Sequence, residues 1–169
     1  MKAAGVILAI AVALALQTTL ARYMARGSVA VDFVLVVVVY VGLTSGPSAG
    51  LLTGTVAGLA QEALSTTIIG IGGLADTIVG FLAGIVGTQF IVAHSLPRFV
   101  VFFVATVVHA VVFMGLYAVL DLRHFGTPYA VVAGQAAANA LLGVVGFQVV
   151  ELLPGVIERR RDAKNRLRR

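Results

Sequence analysis

The chain has 169 residues, 60% of them hydrophobic and only 11% charged, whereas an average soluble domain carries roughly 25% charged residues. With a mean hydropathy of +1.05 this excludes an ordinary water-soluble globule, and the lack of any Cys excludes a disulfide framework, a thiolate nucleophile and a cysteine-held zinc or iron–sulfur centre. The net charge of +5 does not describe a nucleic-acid face, because seven of the twelve Lys and Arg residues lie between Arg159 and Arg169.

Uncharged stretches run over 3–21, 33–61, 77–97, 99–120 and 124–150, each about long enough to cross a bilayer. All four prolines (Pro47, Pro97, Pro128 and Pro154) fall between apolar segments and read as boundaries. The pattern predicts an all-α polytopic membrane protein with six transmembrane helices over 3–21, 30–45, 49–65, 74–93, 98–120 and 129–152. Residues 1–153 form one transmembrane domain and 154–169 a basic tail set off by Pro154-Gly155. The first stretch opens like a signal peptide, with a small-x-small step at Ala13-Leu14-Ala15, but its apolar pattern continues to Ala21 as a full span. Helices two and three are about 16 residues each, near 24 Å, which is short for a hydrocarbon core of about 30 Å. A re-entrant hairpin is the alternative for that pair.

Basic residues near span ends set orientation. With six spans, Lys2, Arg98 and the seven tail residues share one side, while Arg22, Arg26 and Arg123 face the other, which puts both termini in the cytoplasm. The tail reads as a topological anchor attracted to anionic membrane lipids, with contact to an acidic partner as the alternative. No connection is long enough for a soluble domain.

In helix three, Gly50, Gly54 and Gly58 form a stripe at spacing four that leads to Glu62. Small residues let helix backbones approach in lipid, where the hydrophobic effect gives helices little reason to associate. Gly80 and Gly84 repeat the spacing in helix four, and Ala130, Gly134 and Ala138 in helix six. These faces serve packing within the bundle or docking of a partner. Acidic residues are the next signal, since a carboxylate inside a span is costly and usually faces protein or a water-filled cavity. Asp32 opens helix two, Glu62 closes helix three and Asp76 opens helix four, all toward the outer side, where Gln17, Gln61, Gln135 and Asn139 also fall. Capping accounts for Asp32 and Asp76. Glu62 either lines a polar pocket or pairs with Arg22 or Arg26.

The three histidines, His94, His109 and His124, show no short ligand spacing, so no metal site is expected. His109, midway along helix five, is expected to hydrogen-bond a neighbouring helix. Nucleophile-elbow and Walker sequences are absent, and Gly70-Ile71-Gly72-Gly73 reads as a flexible turn. No catalytic residue and no cofactor is assigned.

The order of features resembles the rod shape-determining protein MreD family. The likeness rests on Val31-Asp32-Phe33 before the apolar run Val34 to Tyr40, on Gly50-Leu51-Leu52-x-Gly54 and Ala57-Gly58-Leu59 before an acid, on Ser65 through Gly70 and Leu74, and on Gly80-Phe81-Leu82-Ala83-Gly84. Val31 stands where the family usually has Pro, and Glu62 near a common Asp. The resemblance implies a non-enzymatic subunit of the bacterial elongation machinery in the inner membrane, partnering MreC and working with MreB, RodA and a class B penicillin-binding protein. It also implies similarity to the six-helix substrate-binding subunits (S components) of energy-coupling-factor vitamin transporters. On that comparison Gln17, Asp32, Glu62, Asp76 and Asn139 line an outward-facing cavity that receives a partner segment, and the glycine faces offer a groove to the MreC transmembrane helix. Two rival functions are a vitamin-binding transporter subunit using the same cavity, and an ion or proton pathway through Glu62, Asp76 and His109.

Overall fold

A computed structural model describes residues 3–24, 31–65, 70–90, 94–120 and 129–166. Six helices follow one another: α1 (Ala3–Met24), α2 (Phe33–Ser45), α3 (Pro47–Ala63), α4 (Ile71–Gln89), α5 (Ser95–Val119) and α6 (Tyr129–Arg166). Three of them carry a stretch long and apolar enough to cross a membrane: Ile71–Gln89, Ser95–Val119 and Tyr129–Leu152. At 1.5 Å per residue these measure about 28, 37 and 36 Å.

The shortest helix is the centre of the bundle. α2 packs against all five others, and its sequence FVLVVVVYVGLTS is apolar on every side, as a helix enclosed by others must be. Val34, Leu35, Val38, Val39 and Val41 are almost completely buried. Leu35 and Val39 join Val79, Ala83, Phe102, Ala105, Ala140 and Phe147 in the larger apolar core. Val34 and Val38 join Ala13 of α1 and Ala57 of α3 in a second one. Large apolar side chains elsewhere point outward, among them Leu8, Val111, Leu141 and Val145, an arrangement suited to lipid.

A single residue joins α2 to α3. Gly46 adopts φ 90° and ψ 177°, a conformation essentially restricted to glycine. Pro47 follows at the start of α3, where its fixed φ suits a first helical turn and no intrahelical N–H is needed. The hairpin so formed lies on α4. The glycine stripes make the contact. A Cβ on Gly50 would run into the Gly80 carbonyl, one on Gly54 into the backbone of Asp76 and Thr77, and one on Gly84 into Pro47. Gly50, Gly54, Gly58, Gly80 and Gly84 are all buried, so this face is turned to other helices of the same chain. Between the glycines, the Thr55 and Thr77 hydroxyls meet at 2.8 Å.

Several boundaries differ from those expected. Helix four begins at Ile71, three residues before the predicted start. α3 starts at Pro47 and stops at Ala63. α6 continues through Pro154 and Gly155 to Arg166, without the expected break. The missing Pro154 N–H removes one helical hydrogen bond, but the segment beyond it is rich in Glu, Arg, Ala and Lys, all strong helix formers. Pro97 lies in the first turn of α5, and Pro128 falls outside the described residues.

Candidate functional site

Two polar clusters sit at opposite ends of the bundle. At one end Arg98, in the first turn of α5, forms a two-point ion pair with Glu151 of α6; Nη1 lies 2.9 Å from Oε2. Its guanidinium also lies 4.4 Å from the centroid of the Phe147 ring. Arg98 is buried whereas the Glu151 side chain is 55% exposed. The pair therefore ties the start of α5 to α6 beside water or lipid head groups. Sequence reasoning placed Arg98 at a span end but missed its partner, 53 positions away.

The opposite end holds the predicted polar set, and it begins with the opening of α2. The first N–H groups of a helix lack intrahelical partners. Here they find three different acceptors. The Asp32 backbone N–H donates to Asn139 Oδ1 of α6 at 2.9 Å. Phe33 N–H donates to Gln17 Oε1 of α1 at 2.9 Å, and Leu35 N–H donates to the Asp32 carboxylate at 3.0 Å. Asp32 is thus the N-cap, as expected. Gln17 and Asn139 act beside it as caps supplied from other helices. Asn139 is fully buried and also donates through Nδ2 to Thr106 Oγ1 of α5 at 3.2 Å. One amide group thereby connects α2, α5 and α6.

Glu62, not Asp76, caps the start of α4, although both line the same recess. Because α4 starts at Ile71, Asp76 lies inside the helix and caps nothing. Glu62, at the end of α3, instead reaches the start of α4 and accepts from the backbone N–H groups of Gly70 at 2.7 Å and Gly72 at 2.5 Å. A carboxylate accepting two backbone donors at a helix N-terminus gains both charge-assisted hydrogen bonds and the favourable end of the helix dipole. The expected alternative, pairing of Glu62 with Arg22 or Arg26, involves side chains outside the described residues.

Asp76 turns into the bundle, where its Oδ1 lies 3.2 Å from Nε2 of His109 on α5. His109 stacks on Phe113 one turn further along, with ring centroids 6.0 Å apart. These groups border a cavity of about 170 Å³ lined by Asp32, Glu62, Asp76, His109, Gln61 and Phe113, with Gly58, Ser65 and Gly72 closing it. Of the five polar residues singled out from the sequence, Asp32, Glu62 and Asp76 line this cavity. Gln17 and Asn139 stand behind its wall, holding the start of α2. His109 was expected to bond a neighbouring helix; its place beside Asp76 makes it a lining residue as well. Gln61 and Phe113 complete the cavity without having been assigned to it. The one available signal was their spacing, with Gln61 next to Glu62 and Phe113 one turn from His109.

The arrangement provides carboxylates, an amide oxygen and an imidazole in a small recess. Among the described residues no group of three or more His, Cys, Asp and Glu side chains is placed to hold a metal ion. Sequence comparison adds the remaining fact about the chain. No curated protein and no solved structure is found to match it. The family model described as rod shape-determining protein MreD, however, matches residues 2–154, a span that takes in all the spanning stretches and both polar clusters. On that match the chain belongs to the rod shape-determining protein MreD family.

Proposed function

We propose that this protein is a non-enzymatic scaffold of the bacterial cell-elongation complex. In this reading it crosses the inner membrane six times with both termini in the cytoplasm, binds MreC, and supports peptidoglycan synthesis together with MreB, RodA and a class B penicillin-binding protein. The family match over residues 2–154 carries the proposal. Orientation rests on the nine basic residues gathered at one side against three at the other, with residues 154–169 as the cytoplasmic tail. Six crossings remain compatible with a 13-residue α2, because a helix enclosed by five others need not match the lipid thickness unaided. A six-helix fold like that of the energy-coupling-factor S components belongs to the same proposal.

The cavity between α2, α3, α4 and α5 then opens at the outer face, and we read it as the place where the segment following the MreC transmembrane helix engages. Its size supports a protein group over a solute. About 170 Å³ is small beside the roughly 300–1,000 Å³ of ordinary ligand pockets. Affinity purification of the tagged chain from native membranes tests the reading: MreC is expected as the main co-purifying membrane protein. Recovery of an ATPase-linked transport module in its place, or of no membrane partner, would overturn it.

A further inference from the structure

Among the described residues, two acceptor atoms that line the cavity lack a hydrogen-bond partner, Gln61 Oε1 and Asp76 Oδ1. Glu62 is engaged by the N–H groups of Gly70 and Gly72, and Asp32 Oδ1 by Leu35 N–H. Asp76 is 3% exposed and has no backbone donor among the described residues; its Oδ1 faces His109 Nε2 at 3.2 Å, outside hydrogen-bond geometry. Gln61 Oε1, on the neighbouring α3, is likewise buried without a partner. Both residues line the same cavity. The described lining contains three carboxylates against one imidazole and no Lys or Arg, so its formal charge stays negative even with His109 protonated. Buried acceptors left unmatched are costly, and a buried carboxylate most of all.

What would satisfy all of this at once is a compact group with several N–H donors and a positive charge. We propose that the cavity takes a cationic nitrogen group, the guanidinium or ammonium of an Arg or Lys side chain carried by the engaged protein segment. This rests on the reading of the cavity as the engagement site and names the chemistry that the partner must present. Asp76 and Gln61 accept its N–H groups, and the carboxylates balance its charge. An anion or an acceptor-only solute would add charge of the wrong sign and leave Asp76 and Gln61 unmatched.

The test uses the purified full chain in detergent micelles, titrated with N-acetyl-arginine-N-methylamide, with its uncharged citrulline counterpart and with agmatine, reading the His109 imidazole resonances. Capped arginine is expected to give a saturable shift, citrulline none, and agmatine a response no tighter than that of capped arginine. Asp76→Asn is expected to weaken binding about tenfold or more, the loss of a charge-assisted contact. Gln61→Leu weakens it without lowering the melting temperature, since the Gln61 side-chain oxygen accepts no hydrogen bond among the described residues. The proposal fails if the charged and neutral probes behave alike, if agmatine binds tighter, or if both variants bind as the parent does. It fails equally if binding emerges only after Arg22 and Arg26 are replaced by Gln, because the chain would then fill its own cavity. MreC recovery with the same variants separates the two readings. Undiminished MreC alongside a lost probe response removes the cavity from the MreC interface and leaves its ligand class standing.

Discussion

A Gly54→Ala chain is expected to melt well below the parent, and a Gly54→Leu chain to fail to accumulate as a folded protein. The reason is that the added carbon meets backbone, which cannot swing aside. A Cβ on Gly54 would lie 2.6 Å from the Asp76 carbonyl carbon and 2.9 Å from Thr77 Cα. α3 and α4 would have to part, disturbing the Thr55–Thr77 contact and the Glu62 cap on either side. Overpacking of this kind costs about 1–3 kcal/mol for one methyl group, and a leucine adds several more atoms at the same place. Gly115→Ala supplies the comparison. Nothing stands within 4 Å of a Cβ there, so the change is expected to be neutral or to gain about 0.5–1 kcal/mol of helix propensity. Thermal melting in detergent distinguishes the two; a Gly54→Ala chain that melts with the parent would show that α3 and α4 are not in close contact. One corollary concerns partner binding. Loss of MreC from a Gly54→Leu chain would report loss of the fold, because the glycine face is interior.

Asn139→Ala is the second large effect, expected at about 3 kcal/mol. Asn139 is fully buried, so the change opens a cavity and removes the acceptor for the Asp32 N–H and the donor to Thr106 together. A buried backbone N–H left without a partner alone costs about 1–3 kcal/mol, and the vacated volume adds to it. Thr106→Val breaks the second of these bonds and the Thr106 hydroxyl's bond to Phe102 O but leaves the Asp32 N–H its acceptor, and is expected to cost less, about 1–2 kcal/mol. The ratio is informative: equal losses for the two variants, measured by the same melting assay, would mean that the Asp32 N–H finds another partner and that Asn139 does not hold the start of α2.

Much of this arrangement can be read from the residues, and the exceptions have physical causes. The run Val34 to Tyr40 is apolar at every position, which marks a helix out of contact with water but does not say that the other five surround it. Glycines at spacing four lie on one face whatever the bundle, which made Gly50, Gly54, Gly58, Gly80 and Gly84 legible as a packing surface. That they face one another is a contact between α3 and α4, which no periodicity within one helix reports. The start of α4 was misplaced because Gly70-Ile71-Gly72-Gly73 has poor helix propensity. Those glycines are tolerated in the helix because Glu62 caps its first N–H groups and because α3 comes close there, with Leu59 3.2 Å from a Cβ on Gly73. That tertiary support gives the capping role expected of Asp76 to Glu62. Pairs such as Asp76 with His109 and Arg98 with Glu151 join residues 33 and 53 positions apart, beyond the reach of local pattern. Even so, Arg98 and Glu151 fall at matching ends of adjacent antiparallel predicted helices, a cue that sequence reasoning could have used.

The central claim is that a shape-determining membrane protein engages its partner through the polar recess at one end of its bundle. Ser65 lines the mouth of that recess and is exposed, so a photo-crosslinking amino acid placed there samples whatever enters. In cells that also express MreC, the account predicts a crosslinked band containing MreC from position 65, lost when Asp76 is replaced by Asn. Absence of any MreC crosslink from that position, in membranes from which MreC still co-purifies with the chain, would contradict it.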